Sequence, residues 1–289
     1  MRIGIYSVFG HMECIGFLLE LLKQHTVTVC IATKTDNYNW LEYFKKFYTF
    51  EVNYNTDTTH TFEKIIRLTS NDSCLQTTNS ISLVHIESLK AIENISEYYI
   101  SLTPYIHGNN IYYMFPIFTP SICKERYNTI TLLGYYKNSD IDDDTSLFIS
   151  SNPEYTFQFI VWGDWNYTNL TKHSNVIFLN NIQTLPMIYY FQSSKFILSK
   201  KYINYDRFSG QLGLAMSLEI PMIIDSRTAN TYGLPGITFE KNYSEVGRLA
   251  DMKDEQYSSL VKQIQEFNAT TLEKNRVQIE ELLMKVASP

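Results

Sequence analysis

Short apolar runs alternate along this chain with stretches whose apolar residues fall at helical spacing. RIGIYSV (2–8) and TVTVCIAT (26–33) read as buried strands, and 12–24 between them carries an apolar helical face. Residues 37–49 and 61–70 suggest further helices, and 81–86, 98–103 and 111–115 further strands. Pro116, Pro120 and polar neighbours interrupt the pattern over 116–128, the expected linker between two domains. A second series follows. Strands are expected at 129–136, 157–163, 175–180 and 195–199, with a short helix at 184–193 and a long amphipathic helix over 253–287. Strands alternating with helices imply parallel sheets and an α/β fold.

The chain has 289 residues, 44% of them hydrophobic, which suffices for one large or two small cores. Net charge is −6, and no basic run or Arg–aromatic stripe is present, so nucleic acid is not expected as a partner. Cys14, Cys30, Cys74 and Cys123 form no CxxC pair, which suggests reduced thiols and a cytoplasmic location. The first residues enter a strand directly, without a basic-then-apolar leader. No run approaches the roughly 18–20 apolar residues that span a bilayer. Tyr and Phe are abundant at 22 and 17 residues, a bias consistent with an AT-rich coding genome.

The most informative stretch is DRFSGQLGLAMSLEIPMIID (206–225). It reads as a Ser209–Gly210 turn, a small-residue helix, a stop before Pro221 and a buried strand. The first N–H groups of such a helix have no intrahelical acceptor, and the dipole favours an anion there. Gly213 and Ala215 allow that helix to pack close to a sheet.

The stretch resembles the donor-binding element of GT-B glycosyltransferases, acid-x-Phe-Gly-Leu, three residues, Glu-Ala-Met, then x-x-Gly-x-Pro. With Pro221 on the family proline, Ala215 and Met216 fall on Ala-Met, Phe208 on Phe and Asp206 on the first acid. The second acid, which grips the donor ribose in the family, is Leu214 here, and the glycine is Glu219. Ribose recognition would then fall to another group such as Gln211. The order of weaker likenesses extends the match over most of residues 1–250. GHMECIGFLLELLKQHTVTVCIAT (10–33) is similar to the family opening, MFPIFTP (114–120) to the strand before the linker, TITLLGYYKN (129–138) to the first donor-domain strand, and NVIFLNNI (175–182) to Asn-Val-x-Phe-x-Gly.

The resemblance implies two Rossmann-like domains facing a cleft, with a C-terminal helix returning to the first domain. The expected boundaries are 1–119 for an acceptor-side domain, 127–265 for a donor domain, and 266–289 for the returning helix. It implies transfer of a hexose or related sugar from a nucleotide-sugar donor (a UDP- or GDP-sugar) to a glycan or glycosylated acceptor. No permanently bound cofactor and no metal are implied. A non-catalytic nucleotide-sugar or glycan-binding protein or subunit, and a sugar-nucleotide epimerase of the same layout, are the alternatives.

The resemblance also assigns residues. His11, behind Gly10, matches the general base of inverting members, and an imidazole titrating near neutrality suits that work. Glu13 is a second candidate base. Asp206 matches the acid that touches the donor sugar. Lys137 matches the family's basic phosphate contact; by position alone, at least one of Lys200 and Lys201, which follow a strand end, and Arg207, beside the turn, are also placed to meet phosphate. Asn181 and Ile182 match the loop that contacts the nucleobase through the backbone, and the N–H groups of Ser209, Gly210 and Gln211 are placed to hold the diphosphate. The Asp140, Asp142–Asp144 cluster imitates a metal-binding Asp-x-Asp, but its setting reads as a solvated loop or helix cap. No Gly-x-Ser-x-Gly elbow, zinc-ligand spacing or P-loop occurs.

Overall fold

The computed structural model describes residues 1–7, 12–31, 40–54, 62–68, 79–84, 96–106, 108–120, 125–133, 142–161, 170–182, 184–201 and 208–286. The chain divides into two compact units, Met1–Pro120 with Asn204–Gly213 and Ala269–Pro289, and Ser121–Ile203 with Leu214–Asn268.

In the first unit, strands β1 (Arg2–Ser7), β2 (Thr26–Ile31), β3 (Glu51–Asn53), β4 (Lys64–Leu68), β5 (Ser80–Val84), β6 (Tyr98–Ser101) and β7 (Ile111–Tyr113) form one sheet in the order β3-β2-β1-β4-β5-β6-β7. Every pairing is parallel. Helix α1 (Met12–Leu21) crosses from β1 to β2 and is buried along nearly its whole length, and α2 (Trp40–Phe44) follows β2. The expected helix at 61–70 is overturned: Lys64–Leu68 is a central strand with all five residues buried. Phe62, Ile65, Ile66 and Leu68 imitate helical spacing, because a strand covered on both faces loses its polar alternation. The predicted helix at 37–49 is present only as the single turn of α2 among the described residues.

The second unit repeats the theme. Strands β8 (Tyr127–Leu133), β9 (Thr156–Val161), β10 (Val176–Asn180), β11 (Ser194–Leu198), β12 (Met222–Asp225) and β13 (Ile237–Phe239) lie in the order β10-β9-β8-β11-β12-β13, all parallel. Counted within the unit this is 3-2-1-4-5-6, the Rossmann order. Its core stacks Ile130, Leu132, Phe157, Phe159, Phe196 and Leu198 against Phe148 of α3 (Asp143–Ser151). Helices α4 (Thr184–Gln192), α5 (Gly210–Ser217) and α6 (Ser226–Tyr232) complete the crossovers.

Helix α7 (Asp254–Lys285) closes the chain. Within the second unit Asn268 Nδ2 donates to the Met216 carbonyl at 2.7 Å, adding a second donor to an end carbonyl of α5. From Ala269 onward it belongs to the first unit. There Asn275 donates to the Phe115 carbonyl at 2.8 Å, and Ile279, Leu282 and Leu283 are fully buried. Arg276 meets the buried carboxylate of Glu20 at 2.7 Å, and Tyr48 and Thr119 also donate to Glu20. None of the described helices is long and apolar enough to cross a membrane.

Candidate functional site

The helix start predicted at 209–210 is where α5 begins. The Leu212 N–H donates to the Ser209 carbonyl at 3.0 Å, so Ser209 opens the helix and leaves Gly210 and Gln211 in its first turn. Gln211 is buried. The first turn is held within the first unit by two close approaches. Phe208 packs edge-on against Phe115, with ring centroids 5.5 Å apart. A Cβ on Gly213 would lie 2.8 Å from the Pro116 carbonyl oxygen, so helix and backbone touch where no side chain fits. Gly213 therefore serves close packing, but against the segment after β7 where packing against a sheet was expected.

Glu13, in the first turn of α1, reaches the same place. A Cβ on Gly210 would stand 2.5 Å from Glu13 Oε1 and 2.7 Å from its Cδ. The structure thus brings together two predicted site positions nearly two hundred residues apart, a carboxylate and the glycine at the start of α5. The partial positive charge of a helix N-terminus favours that carboxylate. The neighbouring Cys14 is buried, and burial, with Glu13 beside it, raises its thiol pKa well above the ordinary value. Cys30 is shifted upward for the same first reason, so neither thiol is prepared as a nucleophile.

Downstream, α5 ends as the family element ends, with different residues. The Ile220 N–H donates to the Ala215 carbonyl at 3.0 Å and the Glu219 N–H to that of Met216 at 2.9 Å, a Schellman stop. Glu219 has φ +55°, the left-handed conformation that glycine normally supplies. The glycine of the family pattern has a backbone reason, and Glu219 keeps the backbone without the residue. Leu214, at the position of the family's ribose-binding acid, is buried.

Lys201 follows β11 and is enclosed by groups distant from it in sequence. Its side chain is only 3% exposed, with Nζ 2.7 Å from Asp142 Oδ2 and 2.6 Å from Asp144 Oδ2. It also lies over the Tyr243 ring at 4.8 Å. Asp142 caps α3 by accepting from the Thr145 N–H at 2.9 Å, and Asp144 accepts from the N–H groups of Tyr243 and Ser244. Burial pushes both carboxyls up, but hydrogen bonds from Lys201 and from those N–H groups outweigh it, leaving each pKa below its ordinary value. The ammonium charge is thereby neutralised by two carboxylates. Part of the acidic run is a helix cap, one of the two roles expected for it. Among the described residues no cluster of His, Cys, Asp or Glu could hold a metal ion.

Asn181 follows β10 with φ +51°, a conformation Asn tolerates, and its N–H donates to the Val161 carbonyl at 2.9 Å. Ile182 is half-buried beside it. Both sit at the carboxyl end of a parallel strand, the edge where open α/β sheets bind ligands. Gly10, His11, Lys137, Asp140, Asp206 and Arg207 lie outside the described residues.

No family model and no curated protein matches the chain. Solved structures do match over its whole length. HepE from Anabaena, in complex with UDP, aligns with 98% of this chain and 100% of its own, at TM-score 0.62 and 12% identity. Sucrose-phosphate synthase from Thermosynechococcus elongatus covers 99% and 98%, at TM-score 0.60 and 11% identity. UDP-GlcNAc 2-epimerase from Neisseria meningitidis, bound to UDP-GlcNAc, covers 99% and 100%, at TM-score 0.53 and 12% identity. The chain has the GT-B glycosyltransferase-like fold of two Rossmann-like domains, a fold shared by transferases and epimerases alike.

Proposed function

We propose that the protein is a nucleotide-sugar-dependent glycosyltransferase. The donor diphosphate is bound by the backbone N–H groups of Ser209, Gly210 and Gln211 at the start of α5. The observation that carries this reading is the meeting of Glu13 with Gly210. An anionic side chain already lies against that helix start, where Gly210 presents backbone without a side chain. The HepE complex with UDP and the epimerase complex with UDP-GlcNAc support a uridine nucleotide as the donor class.

Glycosyl transfer requires stabilisation of the departing diphosphate and alignment, often deprotonation, of an acceptor hydroxyl. The α5 N-terminus supplies the first through fixed dipoles. His11, immediately before α1, supplies the second as general base. Asp206 contacts the donor sugar, and Asn181 with Ile182 contacts the base. The transferred group is a hexose or related sugar, and the acceptor is a glycan or glycosylated molecule.

Buried Leu214 favours a second reading, a binding protein of the same fold without transferase activity, because the ribose-gripping acid is missing. Calorimetry with UDP, GDP and their sugars, followed by transfer, donor-hydrolysis and epimerisation assays, separates the readings. The transferase reading expects His11→Ala to lower turnover by roughly 10²–10⁴-fold with donor affinity retained. Tight donor binding by the wild type without turnover on any acceptor would establish the binder. Epimerised donor as the product would establish the epimerase.

A further inference from the structure

The second unit carries a groove of about 680 Å³ whose lining includes Arg126, Asn128, Lys195, Asp254, Tyr257 and Ser258. It lies at the amino ends of β8 and β11, since Arg126 immediately precedes β8 and Lys195 is the second residue of β11. Ligands of open parallel sheets lie at the carboxyl ends, so this is not the nucleotide-binding edge. The volume is that of a small-molecule site.

Its charges are arranged unusually for a chain of net charge −6. Arg126 Nη1 donates to the Tyr257 hydroxyl at 2.9 Å and Nη2 to the Leu218 carbonyl at 3.1 Å. Lys195 Nζ stands over the rings of Tyr257, at 5.4 Å, and Tyr155, at 5.7 Å. Two cations are thus fastened to one tyrosine, one at its hydroxyl and one over its ring. The Tyr257 hydroxyl in turn donates to the Lys195 carbonyl at 3.2 Å, which fixes the ring. Among the described residues, no carboxylate lies within ion-pair distance of either cation. Of the two lining carboxylates, Glu219 accepts from Gln265 at 2.7 Å, and Asp254 lies in the first turn of α7.

Two positioned cations, with no carboxylate partner among the described residues, can form charge-assisted hydrogen bonds to a phosphate. Asn128, Ser258, Gln265 and Asp254 offer donors and acceptors suited to hydroxyl groups. We propose that this groove is a second ligand site, for a hydroxylated phosphomonoester of sugar-phosphate size. Lys195 and Arg126 take the phosphate, and the amide, hydroxyl and carboxylate groups take the sugar hydroxyls. The proposal does not depend on the reading of the α5 N-terminus.

Calorimetry with glucose 6-phosphate, inorganic phosphate and glucose as probes tests it. Glucose 6-phosphate should bind more tightly than inorganic phosphate, and glucose should not bind at millimolar concentration. Lys195→Met, which keeps the apolar stem, should weaken glucose 6-phosphate binding by roughly ten- to a hundredfold. Lys195→Arg should retain it within a few-fold. If Lys195→Met fails to fold, Asn128→Ala on the exposed face of β8 should still weaken the sugar phosphate several-fold. Gly210→Val should leave this binding unchanged. Absence of binding by either phosphate probe, equal binding of glucose, indifference to Lys195→Met or, in its absence, to Asn128→Ala, or loss in Gly210→Val would overturn the proposal.

Discussion

Glu13 of α1 lies so close to Gly210 of α5 that a single added methyl group would meet its carboxylate at 2.5 Å. The protein supplies its own anion to the helix start that the proposed function assigns to the donor diphosphate. A diphosphate drawn to the same helix start meets the Glu13 carboxylate as a like charge and must displace it. Glu13→Gln should therefore bind UDP several-fold more tightly than the wild type, measured by calorimetry. Unchanged or weaker binding would mean that Glu13 supports the nucleotide instead of competing with it.

Lys201 joins the start of α3 to the turn at Tyr243 through Asp142 and Asp144. Lys201→Met would leave those two carboxylates facing each other, and should cost about 2 kcal/mol of stability, since Asp142 is half exposed and solvent screens part of the loss. Because both carboxyls are held below their ordinary pKa, the stabilisation is fully present above the unfolded value, about pH 4. It is lost as pH falls through the folded values. Urea midpoints between pH 6 and pH 2.5 should fall steeply below about pH 4 in the wild type and less steeply in Lys201→Met.

Glu219 occupies a left-handed position at the end of α5. Glu219→Gly should raise stability by about 1 kcal/mol, partly offset by the exposed hydrogen bond from Gln265. Glu219→Val, with a β-branched side chain at the same φ, should lower it. Chemical denaturation of the two variants beside the wild type gives the sign directly.

Much of this architecture is written in local pattern. The apolar runs at β1, β2, β9 and β11 and the 206–225 turn–helix–strand unit are strong short-range signals, and α5 begins within one residue of where its Ser-Gly turn puts it. Strand β4 is hidden in the sequence because it is covered on both faces, and even Lys64 and Arg67 are buried in it. Helix α6 is marked by Asp225 at its N-cap and Gly233 at its C-cap, but one turn of apolar periodicity is too little to identify it. Lys201 was legible as a cation after a strand, whereas its neutralisation depends on Asp142, 59 residues earlier, and on the turn at Tyr243. The pairing of Glu13 with Gly210 is likewise tertiary. Each residue has a local signal of its own, and only the fold places one against the other.

The central claim is that a nucleoside diphosphate is held at the first turn of α5. Titration of UDP into the wild type and into folded Gly210→Val tests it most directly. A valine side chain there would collide with the Glu13 carboxylate and bar backbone approach to the helix start. The wild type should bind UDP measurably and Gly210→Val should not, with the circular dichroism spectrum and cooperative unfolding preserved. Equal UDP affinity in the two proteins would contradict the claim.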